Sequence, residues 1–185
     1  MNNDNLRKAL EANRRFYAMK FPHIYGKGYN PDEPRDWHGR WTTGGGSSVT
    51  LHDSDGSTET RTGGSQAWRN NNPGNIRAGN FADQHGAIGS NNGFAVFPDE
   101  ETGRNAVSAL LKTPTYANSS IDDAVATYAP GNENNVSRNQ SNIRSIGGFS
   151  GNEIVGNLSP DRFNDFVNAV TRNEGWIPGK ITRSP

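Results

Sequence analysis

The stretch from Ser159 to Trp176, SPDRFNDFVNAVTRNEGW, admits essentially one local structure. Ser159 is suited to cap a helix, Pro160 is preset for its first position, and Gly175 can end it. Between them Phe163, Phe166, Val167 and Val170 recur on one face, so the helix must bury a narrow apolar stripe against other elements. Three earlier segments supply partners. GFAVFPDEETGRNAVSALLKT reads as a short strand, a Pro98 break and an Asp99 cap, followed by a helix whose inward residues are Ala106, Val107, Leu110 and Leu111. SSIDDAVATYAPG predicts a second helix, capped near Ser120 and ended before Pro130. NNVSRNQSNIRSIGG predicts a third, with Val136, Ile143 and Ile146 inward and Gly147 as terminator. The expected fold class is α+β, mainly helical, with a small β-hairpin region.

The apolar supply limits how large this body can be. Of 185 residues 31% are hydrophobic, 22 are glycine, and mean hydropathy is -0.87. A modest core with ordered polar loops is expected. The 19 basic and 19 acidic residues cancel, which disfavours nucleic acid as a general partner. No cysteine is present, so disulfides, thiolate metal sites and cysteine nucleophiles are excluded. No apolar run approaches a membrane span, and MNNDNLRKAL lacks the apolar region of a secretory signal. If the protein acts outside the cytoplasm, another agent is expected to deliver it.

Composition divides the chain into four parts. Residues 1–43 read as an arm. Its first part is a helix capped by Asp4 or Asn5, with Leu6, Ala9, Leu10, Phe16 and Tyr17 near one stripe and Pro22 as the stop. Arg7, Lys8, Arg14, Arg15 and Lys20 lie mostly off that stripe, either as a solvated face or as a docking surface. Its second part, GYNPDEPRDWHGRWTTGGG, is extended by its prolines, with Tyr29, Trp37 and Trp41 as anchors for a groove or another subunit. Residues 44–66 are rich in Gly, Ser and Thr and read as a linker, with one weak strand at Val49 to Leu51. Residues 67–178 form the domain, and 179–185 a tail.

Acid–base chemistry by carboxylates is what the domain's side chains offer. The four histidines have no metal spacing, no carboxylate cluster joins them, and only His85 lies in the domain. No cofactor or metal is expected. Glu174 follows Val170 by four residues and therefore sits on the buried stripe, at the negative end of the helix dipole. Burial and the dipole both raise its pKa, as a general acid near neutral pH requires. Trp176 is positioned to add an apolar wall. The competing reading is a solvated glutamate at a frayed helix end. Glu133 precedes a helix, where a negative charge is favourable in itself, and Glu100 and Glu101 occupy another first turn. RNNNPGNIRAG, residues 69–79, fits by itself an Asx-turn loop whose asparagines satisfy their own backbone.

Four motifs, in order, carry a resemblance: RNNNPGNIR, GFAVF, YAPGNENN and RNEGW. They resemble those of a family of phage-encoded lysozyme-like proteins, also found fused in bacterial toxins, and cover residues 69 to about 176. This chain has Tyr128 where the family often has tryptophan, and Val136 where threonine is common. TYAPGNENNV is also similar to the Tyr-Asn-Ala-Gly helix-end motif of lytic transglycosylases. Upstream, NPDEPRDWHGRWTTGG resembles a segment recurring in tailed-phage virion and head-associated proteins.

The resemblance implies a lysozyme-like fold and cleavage of the β-1,4 glycan strand of peptidoglycan, by hydrolysis or by transglycosylation. It implies Glu174 as the acid and leaves Glu133 as the next candidate. Arg69, Asn71, Asn72, Asn75 and Tyr128 are then expected to contact sugar. In lysozyme-like enzymes the hairpin follows the helix that ends in the acid, whereas here it precedes it, so the expected order is circularly permuted. That requires residues near 70 and 174 to meet in space. The implied setting is a virion enzyme tethered by residues 1–43 to other virion proteins and acting at the host cell wall. The alternatives are a non-catalytic virion structural or ejection protein, and a bacterial antagonism toxin.

Overall fold

The computed structural model describes residues 41–45, 47–129 and 135–185. The expected N-terminal helix, the Tyr29 and Trp37 anchors and Glu133 lie outside the described residues.

Strands and helices are both present, as the α+β expectation required. Three strands come first: β1 (Trp41–Gly45), β2 (Ser48–His52) and β3 (Thr58–Thr62). Two short helices follow, α1 (Gln66–Arg69) and α2 (Asn80–Gln84), then a hairpin of β4 (Gly89–Asn91) and β5 (Phe94–Val96). The helical layer comprises α3 (Glu100–Leu111), α4 (Pro114–Ala117), α5 (Ile121–Tyr128), α6 (Val136–Gly147) and α7 (Pro160–Asn173). The chain returns as β6 (Lys180–Ser184).

Capping sets the helix starts. Asp99 accepts from the Thr102 amide at 2.7 Å, Ser120 from that of Asp123 at 3.2 Å and Asn135 from that of Arg138 at 3.0 Å. Ser159 does the same for Arg162 at 3.4 Å. Each such cap contributes about 1 kcal/mol. Phe163, Phe166, Val167 and Val170 of α7 are buried together with Val107, Leu111, Val125 and Ile143 of the other helices, forming the main core. Two details of α6 differ from expectation. Ile146 is 40% exposed rather than inward, and the terminating left-handed residue is Gly148 (φ 65°), one position later than predicted. Ending the helix one residue on places Phe149 in the core, edge-on to Phe166 at 5.9 Å.

Residues 44–66 and 179–185 are not the linker and tail that composition suggested. β1, β2, β3 and β6 form one antiparallel four-stranded sheet in that order. Val49 and Leu51 point to one face and are buried with Ile88 and Val96 of the hairpin region, making a second small core. Threonine supplies much of the rest, since its branched side chain suits a strand and its hydroxyl pairs across it. Thr50 and Thr60 hydroxyls meet at 3.0 Å. β6 joins the far edge, where Arg183 donates to Glu59 at 2.7 Å. The sheet is fastened to α1 and the loop that follows it by Arg61, which donates to the Trp68 carbonyl at 2.8 Å and to the Asn71 side-chain oxygen.

Candidate functional site

The loop 69–79 is built around three buried asparagines. Asn70, Asn71 and Asn72 are buried, and for Asn71 and Asn72 the side-chain amides replace the ladder bonds that the irregular backbone lacks. Asn71 donates to the carbonyls of Phe97 and Pro98 at 3.1 and 3.0 Å. Asn72 donates to the carbonyls of Ile76 and Ala95 at 2.8 and 2.9 Å, and accepts from the Ile76 amide at 2.8 Å. Leaving any of these groups unpaired in the interior costs about 1–3 kcal/mol, so the polarity of the motif is a folding requirement. Asn71 and Asn72 are thus directed into the protein. Arg69 reaches back to the carbonyls of Gly63 and Gly64 at 2.9 and 2.7 Å.

Two close approaches hold the loop against the helices. Gly103 lies inside α3, where glycine costs up to about 1 kcal/mol in helix propensity. A Cβ there would run into the Asn71 carbonyl oxygen, and Pro73 packs on the same spot. Gly74 has Tyr128 and Val107 against its Cα, and the Tyr128 hydroxyl donates to the Gly74 carbonyl oxygen.

Clamped in this way, the loop presents Asn75. Its backbone is left-handed, φ 46°, and its side-chain amide donates to Glu174 Oε2 at 2.9 Å. These partners are 99 residues apart in sequence. Residues near 70 and 174 therefore meet, as a permuted order required. The hairpin stands beside them, because Asn72 holds Ala95 and Arg77 bridges to Phe94.

Glu174 caps α7 at its C-terminus and is half-buried. A small cavity beside it is lined by Leu111, Val125, Phe166 and Val170 with Tyr128. Burial among these groups pushes the Glu174 carboxyl above the ordinary glutamate value of 4.5, against an opposing pull from the Asn75 amide. Burial also drives the Tyr128 phenol well above its ordinary 10.0, and the charges of Glu174 and Tyr116 add to that. Tyr116 stands edge-on to Tyr128 at 6.1 Å. The result is a half-buried carboxyl whose pKa burial raises, with one oxygen fixed by an amide donor.

Of the residues singled out in sequence, Glu174, Asn75 and Tyr128 come together. Arg69, Asn71 and Asn72 support the loop behind them. Trp176 lines a different feature, an open groove shared with Pro73, Glu100, Arg104, Asn168 and Arg172. Asn168 and Arg172 project from the side of α7 opposite its buried stripe, so the groove and the buried acid occupy different faces of that helix. His85 is bound to the Phe81 carbonyl at 2.7 Å and stacks on the Phe81 ring. Among the described residues no group of three or more His, Cys, Asp or Glu could hold a metal ion, and no helix is long and apolar enough to cross a membrane. Sequence reasoning did not foresee Gly103 or Arg61, whose importance lies in contacts made far along the chain.

Comparison with protein-family models, curated proteins and solved structures returns no match.

Proposed function

We propose that the protein cleaves the glycan strand of peptidoglycan, with Glu174 as general acid, on a lysozyme-like arrangement of permuted order. One observation carries the reading: a carboxyl with raised pKa, at a helix end, is hydrogen-bonded to Asn75 of the RNNNPGN loop beside a hairpin. In this reading Glu174 gives its proton to the glycosidic oxygen as the bond from that oxygen to the anomeric carbon breaks. The bonding electrons leave with the oxygen, and an oxocarbenium-like centre develops. Water or the sugar's own hydroxyl then closes on that centre and gives up its proton to the Glu174 carboxylate, which restores the acid and gives the hydrolase or the lytic transglycosylase outcome. The setting is a virion enzyme that opens the host wall; because Trp41–Gly45 is strand β1 of the sheet, the tether shortens from residues 1–43 to residues 1–40.

Purified wild-type protein should lower the turbidity of a peptidoglycan suspension, and Glu174→Gln should not, while keeping its circular dichroism spectrum. Clearing by Glu174→Gln at the wild-type rate refutes the assignment of the acid.

The groove favours a second reading, a virion structural or ejection protein that binds without cleaving. It lies away from Glu174 and offers Trp176 with Arg104 and Arg172 as a contact surface. Sedimentation with peptidoglycan at every pH without any clearing supports this reading over the first.

A further inference from the structure

We propose that Asn75 is the positioning residue for Glu174, and that its left-handed backbone is the device that aims its amide at one carboxyl oxygen. The inference rests on the glycosidase reading above and assigns a residue to the orientation of its acid.

The geometry requires two properties of one side chain. At φ 46° most residues are strained, whereas asparagine and glycine are tolerated. Meeting Glu174 Oε2 at 2.9 Å from a half-buried loop calls for a short side chain with an N–H donor. Glycine enters this region without a donor, aspartate offers an acceptor where a donor is needed, and glutamine donates from a longer arm. Asparagine meets both conditions.

The position is held from behind. The Asn75 backbone N–H donates to the Asn72 carbonyl at 3.0 Å, Asn72 is fixed by Ile76 and Ala95, and Gly74 is fixed by Tyr128. With Oε2 occupied as an acceptor, Oε1 is the oxygen left to carry and donate a proton. Among the described residues the groups around the pair carry little competing charge. Tyr128 of α5 is neutral at working pH, Tyr116 of α4 lies behind it, and the neighbouring α6–α7 contact is the neutral Asn142–Asn173 pair at 3.0 Å. Arg172, the adjacent cation on α7, lines the groove.

Removing the amide has two separable effects. An N–H donor favours the carboxylate over the acid, so its loss raises the Glu174 pKa further. An unheld carboxyl also rotates, and misplacing a reacting group lowers turnover more than binding. The test is Asn75→Gly in the full chain, since glycine keeps the backbone, with Asn75→Asp as the second variant. Glu174 is titrated by carboxyl carbon NMR, and clearing rates are measured against pH and substrate concentration. The expected result is a higher Glu174 pKa in both variants. The basic limb of the rate profile should move up with it, and kcat should fall about 10- to 100-fold at nearly unchanged KM. An unmoved Glu174 titration in Asn75→Gly overturns the proposal whatever the activity. Wild-type protein that clears nothing at any pH refutes the enzymatic reading instead, while the titration still decides whether the two side chains are paired.

Discussion

The Tyr128 hydroxyl, at the end of α5, donates to the Gly74 carbonyl oxygen and so ties a helix end to the residue before Asn75. Tyr128→Phe removes one donor and leaves a buried acceptor unpaired. The expected loss is about 1–3 kcal/mol in urea unfolding, together with slower clearing as the Asn75 loop loosens. Wild-type stability in the variant would show that the hydroxyl contributes nothing.

Glu174 links the site to stability through pH. Its folded-state pKa lies above the ordinary 4.5, so the folded protein holds this proton more tightly than the unfolded chain. The corresponding stabilisation is complete below that ordinary value and is lost as pH rises through the raised one. Glu174→Gln has no proton to lose. Melting temperatures compared across pH should therefore shift in favour of the variant above pH 4.5 and show no such trend below it. A pH-independent difference contradicts the burial of this carboxyl.

Gly103→Ala tests the contact between α3 and the loop. Alanine favours a helix by up to about 1 kcal/mol over glycine, so a solvated site would be stabilised. Here the added methyl meets the Asn71 carbonyl and Pro73, and overpacking of this kind costs about 1–3 kcal/mol. The sign of the change in urea midpoint discriminates the two.

Asn72→Ala strips partners from the Ile76 amide and from the carbonyls of Ile76 and Ala95. A loss of about 3 kcal/mol or more is expected, large enough to abolish clearing through unfolding. Asn75→Gly, by contrast, should keep the wild-type unfolding free energy in urea within about 1 kcal/mol, because glycine suits its backbone. Equal destabilisation by the two would remove the distinction between a supporting and a site-facing asparagine.

How much of this could be read from sequence depended on where each residue's partners lie. Caps and stripes are local, so α3, α5 and α7 and the inward position of Glu174 followed from spacings of three and four residues. The roles of the asparagines did not, because Asn71 bonds to residues 26 and 27 positions on and Asn72 to one 23 positions on. The sheet was hidden by composition. Its two buried apolar residues in β2 sit among threonines and glycines that resemble a linker, and β6, the partner of β3, comes only after α7 in the chain. Ile146 shows the converse error, an apolar residue at helical spacing that the packing leaves outside.

The buried asparagine loop has a further consequence for how the molecule opens. Backbone N–H groups of Asn70, Asn71 and Asn72 are bonded to α1 carbonyls, and that of Ile76 to the Asn72 side chain. A segment with no helix or strand over residues 71–76 should thus trade its amide hydrogens for deuterium as slowly as the core of α7. Slow exchange there would place the irregular loop and the last helix in one unit of cooperative unfolding, so that the acid and its partner are lost together rather than by fraying of either end.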